Sequence, residues 1–160
     1  MIMTDFKDKF AVLVVSCDKY SDMWSPFFTL FWRFWSDCPF KVYLLSNNVD
    51  FNMPKVSTIK VGDDRSWSDT LLECLIKIRE PYIMLFLEDL LLVDYVDTDR
   101  VLEVFRWIDQ HKSNYVRLHP FPKPDKYLNP MLGKISKGTV YRTGTITSVW
   151  NKNILMKLIN

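Results

Sequence analysis

The chain has 160 residues, 48% of them hydrophobic and 15% aromatic, enough for one sizeable core and one domain spanning 1–160. Its 21 basic and 19 acidic residues are mixed along the sequence for a net charge of +2, so there is no concentrated basic footprint for nucleic acid, and a small molecule is the expected partner. Cys17, Cys38 and Cys74 are odd in number and far apart, which fits neither a disulfide framework nor a paired-cysteine metal site and suits a reducing, cytoplasmic setting.

The N-terminal stretch offers an apolar run only over Phe10 to Val15, too short for a leader or an anchor, and no later run reaches the ~20 apolar residues of a membrane span. Phe10 to Ser16 (FAVLVVS) is unbroken and rich in β-branched residues, which predicts a first buried strand. Ser25-Pro26 predicts the start of a helix, with serine as cap and proline at the first helical position. Along that helix Phe27, Leu30, Phe31 and Phe34 form one stripe, and Trp24, Phe28, Trp32 and Trp35 another, so it should be covered on two sides.

Lys41 to Leu45 reads as a second strand ending in polar Ser46-Asn47-Asn48, and Val56 to Val61 as a third near an edge. Ser66 with Asp69 three residues on resembles a capping box, opening a helix whose buried face takes Trp67, Leu71, Cys74, Leu75 and Ile78. The preceding Asp63, Asp64 and Arg65 occupy a strand-to-helix loop, where they either hold sugar hydroxyls or phosphates or simply favour the positive end of the helix dipole.

Tyr82 to Leu87 is a continuous apolar run that predicts a central strand buried on both faces, and Glu88-Asp89 marks its end. Two carboxylates there repel by up to ~4 kcal/mol at about 4 Å, for an effective dielectric of roughly 20, unless water, a base or a cation offsets the charge. Leu90 to Val96 continues extended. Asp97 or Thr98 caps a helix running to His111, and Tyr115 to Leu118 forms a further short strand. The proline-rich His119 to Pro130 predicts a surface loop able to act as a lid. Val140 to Val149 reads as a last strand, with Trp150-Asn151 leading into a helix that has no terminator before Asn160. A truncated product or a piece of a longer enzyme is therefore expected.

Strands alternating with helices predict an α/β three-layer sandwich with a mainly parallel central sheet. With four glycines and no GxGxxG or GxxxxGK[ST], redox dinucleotide enzymes and P-loop NTPases are disfavoured. His111, at a helix end, is expected to interact with the helix dipole, and His119 begins the proline loop.

Four segments together, VLVVSCDKY, KVYLLSNN, LFLEDLLLVD and TSVWNKNIL, resemble the GT-A (Rossmann-like) nucleotide-sugar glycosyltransferases, in particular bacterial transferases of surface polysaccharide synthesis. The resemblance implies a sugar transferred from a nucleotide-diphosphate donor to a saccharide acceptor, at the inner face of the membrane. It assigns the donor to Asp18, Lys19, Tyr20, Asp64, Asp69 and Glu88, a divalent cation (Mn or Mg) to Asp89 and Glu88, and the acceptor side to Trp150 and Asn151. The chain departs from the family's acidic motif at Leu90, which is apolar where a direct metal ligand is usual. Asp89 takes over that role, or Lys and Arg neutralise the leaving group without metal. The catalytic carboxylate is not identified; none follows Trp150, and it is expected beyond residue 160. Two alternatives stand beside this reading. One is a non-catalytic nucleotide-sugar-binding or assembly module, a shortened transferase domain that forms a homodimer through exposed aromatics. The other is a nucleotidyltransferase, against which the lack of a glycine-rich basic loop after the first strand argues.

Overall fold

A computed structural model describes residues 6–160; the first five, part of the stretch read above as carrying no leader, lie outside the described residues. The apolar runs form strands β1 (Phe10–Val15), β2 (Lys41–Ser46), β3 (Val56–Lys60) and β4 (Tyr82–Leu87). Three shorter strands, β5 (Tyr115–Arg117), β6 (Lys126–Tyr127) and β7 (Gly133–Lys134), follow, and β8 (Ser148–Asn151) is the last. Six of them make one sheet in the order β3-β2-β1-β4-β8-β5, and β6 pairs with β7 as a separate antiparallel hairpin. The first four run parallel, while β8 lies antiparallel to both β4 and β5. This is the expected mainly parallel sheet, with β3 at an edge.

Alternation along β1 shows why its run is apolar throughout. Phe10, Val12 and Val14 face a core shared with α1 (Trp24–Phe34) and α3 (Thr98–His111), whereas Ala11, Leu13 and Val15 face a second core shared with α2 (Trp67–Lys77) and α4 (Lys152–Ile159). A strand buried on both faces cannot spare a polar side chain on either. The first core is mostly aromatic: the Phe10 ring stacks on Phe105 at 4.3 Å between centroids, and Phe40 stacks on Phe105 at 4.9 Å. Both stripes of α1 are used, since Trp24, Phe27, Phe28 and Phe31 are fully enclosed and Trp32 is half-buried under the Lys55 ammonium.

Helix boundaries follow their caps. Ser66 accepts a hydrogen bond from the Asp69 amide at 3.1 Å and donates its hydroxyl to the Asp69 carboxylate at 2.7 Å. The pair therefore closes on itself, without the return bond to the cap's own amide that defines a capping box. Asp97 accepts from the Arg100 amide at the start of α3, and Lys112 ends that helix in the left-handed conformation at φ 51°.

Three expectations are corrected. Helix α1 begins at Trp24 behind a 3-10 turn over Asp18–Met23, so Pro26 is its third residue; it is tolerated there because the first-turn amides have no partner inside the helix. Trp67 does not join the buried face of α2 and is 45% exposed. Most of the predicted strand over 140–149 is turn, and only Ser148 and Val149 of it belong to β8. Tyr141 and Thr147 take positive φ; the Gly144 amide donates to the Tyr115 hydroxyl and the Ser148 hydroxyl donates to the Gly144 carbonyl, and these bonds hold the chain bent.

Candidate functional site

Because β1, β2, β3 and β4 are parallel, their carboxyl ends and the loops that follow emerge at one edge of the sheet. Open α/β sheets bind ligands at such an edge. Val15 pairs with Leu87, so Ser16 and Glu88 leave the sheet side by side. The Ser16 hydroxyl accepts from the Trp24 indole at 2.8 Å, tying the start of α1 to this edge, and also reaches Glu88. Burial pushes the Glu88 carboxyl above its usual range; the Asp89 charge adds to the rise, and a backbone amide and the Ser16 hydroxyl offset part of it. The Leu90 amide donates to the Leu87 carbonyl at 3.1 Å, closing a turn with Glu88 and Asp89 at its centre. Glu88 is half-buried in that turn and Asp89 is exposed.

Asp18 holds the loop after β2. Its Oδ1 accepts from the amides of Asn47 (2.9 Å) and Val49 (3.2 Å), and its Oδ2 from the amide of Asn48 (2.9 Å). In return the Asp18 amide donates to Asn47 Oδ1 at 3.1 Å. A carboxylate oxygen has two acceptor sites, so Oδ1 is filled and Oδ2 keeps one for a ligand. Asn47 is 5% exposed, and its side-chain Nδ2 makes no hydrogen bond among the described residues. A buried amide donor without a partner costs ~1–3 kcal/mol, and it is the kind of group a ligand satisfies.

The remaining predicted positions divide. Lys19 and Tyr20 lie exposed in the 3-10 turn beside Asp18, with the lysine ammonium 5.8 Å from the tyrosine ring centre. Asp64 is exposed in the loop after β3, at the same sheet edge, and Asp69 is occupied with Ser66. Trp150 and Asn151 are not brought to this edge. Asn151 pairs with Tyr82 at the opposite end of β4, about 20 Å along the strand from Glu88 at ~3.3 Å per residue. Trp150 is 4% exposed, packs on Tyr115 and donates to Ser148, and Asn151 caps α4. The reason is the direction of β8: an antiparallel strand carries its own carboxyl end to the far side.

Ser16 and Asn47 are the residues that sequence reasoning missed. The signal was faint, namely a polar residue directly after the first apolar run and a polar string after the second. The cysteines are free, and burial pushes the thiols of Cys38 and Cys74 up to about 12, which disfavours their thiolate forms.

Among the described residues no three His, Cys, Asp or Glu side chains converge as a cation cage. Glu88 and Asp89 supply two adjacent carboxylates, and Leu90 supplies no ligand. That set fits a hydrated magnesium-type ion, which takes one or two carboxylates and completes its shell with water and substrate phosphates. Two hollows of ≈ 750 and ≈ 790 Å³ lie elsewhere, between α3, β5 and the proline-rich loop, and neither takes a wall from Asp18, Glu88 or Asp89.

No protein-family description matches the chain, and no curated relative is detected. Solved structures do resemble it. TarS of S. aureus (residues 1–349) superposes with a TM-score of 0.53 at 11% identity, over 93% of this chain and 48% of that one. The 2-C-methyl-D-erythritol 4-phosphate cytidylyltransferase of Francisella tularensis superposes with a TM-score of 0.51 at 11% identity, over 94% of this chain and 76% of that one. The fold is thus the Rossmann-like architecture shared by GT-A and nucleotidyltransferase enzymes. The chain spans about half the length of the TarS structure. Among the described residues no helix is long and apolar enough to cross a membrane.

Proposed function

We propose that this chain is a transferase domain that binds a nucleoside-diphosphate sugar at the carboxyl edge of its parallel strands and passes the sugar to a saccharide acceptor. One observation carries the reading. The loops after adjacent strands β1, β2 and β4 leave the sheet at the same edge, and they carry Asp18 bound to the Asn47 amide, the unpaired side-chain amide of Asn47, and the adjacent acids Glu88 and Asp89. Asn47 and the remaining acceptor site of Asp18 suit the hydroxyls and base edge of a nucleoside, with Lys19 and Tyr20 beside them. Asp64 lies one loop away on the β3 side, while Asp69 acts through its cap.

In this reading the bond that breaks joins the sugar's anomeric carbon to the diphosphate, and the new bond joins that carbon to an acceptor oxygen, which gives its proton to a base. Glu88 and Asp89 would hold a divalent cation brought with the diphosphate, and such an ion stabilises the departing phosphate oxygens as a Lewis acid. What the chain itself supplies is a fixed seat. Asp18 locks the β2 loop through three amides, and the Trp24 indole anchors Ser16 beside Glu88.

The test is thermal unfolding with UDP and related nucleoside diphosphates, with and without Mn²⁺. A ligand at 100 times its dissociation constant adds ~2.7 kcal/mol, or roughly 5–11 °C for a domain of this size. Replacing Glu88 and Asp89 together by alanine should abolish the shift, and Asn47→Ala should reduce it. No shift with any nucleotide would overturn the proposal. A second reading, nucleotidyl transfer, draws on the cytidylyltransferase, of which the chain covers the larger share. It predicts release of pyrophosphate from a nucleoside triphosphate, where sugar transfer predicts release of a nucleoside diphosphate.

A further inference from the structure

The hollow of ≈ 790 Å³ between α3, β5 and the β6-β7 hairpin has a one-sided charge. Arg100, Arg117, Lys134 and Arg142 line it together with His119, and none of its lining residues is acidic. In a chain with 21 basic and 19 acidic residues, four cations around one hollow with no carboxylate in its lining are not the average surface.

Two of these cations are held in place with donors to spare. Arg117 donates Nη1 to the carbonyls of Phe121 and Tyr141, and Arg142 donates Nε to the carbonyl of Ile135 at 3.1 Å. A guanidinium has five N–H donors in a fixed fork, so each keeps several for a ligand. Gly144 makes room for Arg117: a Cβ there would fall 2.5 Å from Nη2. Arg100 stands on the wall shared with the neighbouring hollow, whose acids Asp97, Asp99 and Glu103 are not part of this lining. The rings of Trp107 and Tyr127 and several prolines complete the walls, a mixture of flat apolar faces and a few charges that suits a sugar ring bearing an anionic group.

Position links this hollow to the strand-end site. Arg117 pairs with Ser148, and Ser148 pairs with Leu85, so the end of β5 lies two strands, about 10 Å, from the end of β4. We infer that the hollow formed by α3, β5 and the β6-β7 hairpin is the acceptor subsite and takes an anionic saccharide, one bearing phosphate or carboxylate groups. The inference rests on the donor site proposed above. A compact hollow whose β5 wall ends two strands from that site favours a saccharide over an extended nucleic acid, for which no long basic stripe runs along the chain.

The experiment is calorimetric titration of the whole chain with tetragalacturonate, glucose 6-phosphate, neutral maltotetraose and a single-stranded RNA decanucleotide, at low and physiological salt. Either anionic saccharide should bind with salt-sensitive affinity while maltotetraose does not, and the stronger of the two identifies carboxylate or phosphate as the group read. Replacing Arg100 and Lys134 together by glutamine should weaken that binding by about tenfold, as expected for two accessible charge contacts, while leaving the melting temperature and the UDP shift unchanged. Equal binding of maltotetraose, binding of neither anionic saccharide, or tighter binding of the RNA overturns the inference. If UDP shifts the melting temperature and the anionic saccharides do not bind, the acceptor inference fails alone. If they bind and no nucleotide does, the donor reading fails and the acceptor role falls with it.

Discussion

Glu88 sits where its ionisation is disfavoured. Burial and the Asp89 charge raise its affinity for protons, so its ionised form costs the folded state. A raised folded pKa contributes stability that is present below the unfolded value and lost as pH rises through the folded one. Glu88→Gln should therefore stabilise the chain at neutral pH, and the gain should vanish below about pH 4, where the carboxyl is neutral in both states. Urea unfolding at the two pH values checks this; equal stability of variant and parent at pH 7 would contradict it. Asp18 is the opposite case. Its three amide contacts fix the loop after β2, and Asp18→Ala should cost about 2–3 kcal/mol in the same measurement.

Residues 88 and 18 were visible in the sequence as polar groups ending apolar runs. Asn47 was visible only as part of a polar string, since nothing in a one-dimensional pattern marks a side-chain donor left without a partner. The four cations of the hollow, at 100, 117, 134 and 142, were not legible at all. They come from a helix, a strand, a hairpin and a turn, and no spacing rule joins them.

At the scale of elements, the two ends of the sheet do different work. At the amino end of β4, Glu80 is almost fully enclosed and pairs with the Lys41 ammonium at 2.6 Å, with the Tyr43 hydroxyl at 3.4 Å. Burial pushes the Glu80 carboxyl up, but the Lys41 hydrogen bond and charge together with the other hydrogen bonds outweigh it, and the net direction is down. A depressed pKa contributes stability present above the unfolded value, about 4.3, and lost as pH falls through the folded one. Lys41→Met should leave the carboxylate without its cation and cost roughly 2–3 kcal/mol at pH 7, shrinking toward acid pH. Because Glu80 is at the far end from Glu88, that variant should keep its nucleotide response. Chemical unfolding across pH, paired with thermal shift, tests both halves.

The elements themselves were largely readable. Runs such as FAVLVV and YIMLFL have a single physical solution, a strand covered on both faces, and serine or aspartate caps set the starts of α2 and α3. The failure over 140–147 has an equally definite cause. Thr and Val favour extended backbone, but tertiary bonds to Gly144 and the Arg117 grip on the Tyr141 carbonyl bend the segment into turns. The cap at Ser66 is testable on the same scale: Ser66→Ala should cost about 1 kcal/mol.

For the molecule as a whole, strand direction decides which loops share an edge of the sheet. Four parallel carboxyl ends gather the loops of Asp18, Asn47, Asp64 and Glu88 at one edge, whereas antiparallel β8 carries Trp150 and Asn151 to the other. The sequence pattern showed which segments are strands but not which way the last one runs, and that single topological fact moved two residues from the expected site into the frame. The proline-rich loop and the β6-β7 hairpin wall a basic hollow with α3 and β5.

The most direct test is an amide-resolved NMR titration of the whole chain with nucleoside diphosphates. The account predicts that UDP or a close relative perturbs the signals of Ser16, Asp18, Asn47 and Glu88 and the side-chain amide of Asn47, and leaves those around Glu80 unchanged. Signals at the carboxyl edge that stay fixed with every nucleotide, or changes confined to the Glu80 end, would contradict it.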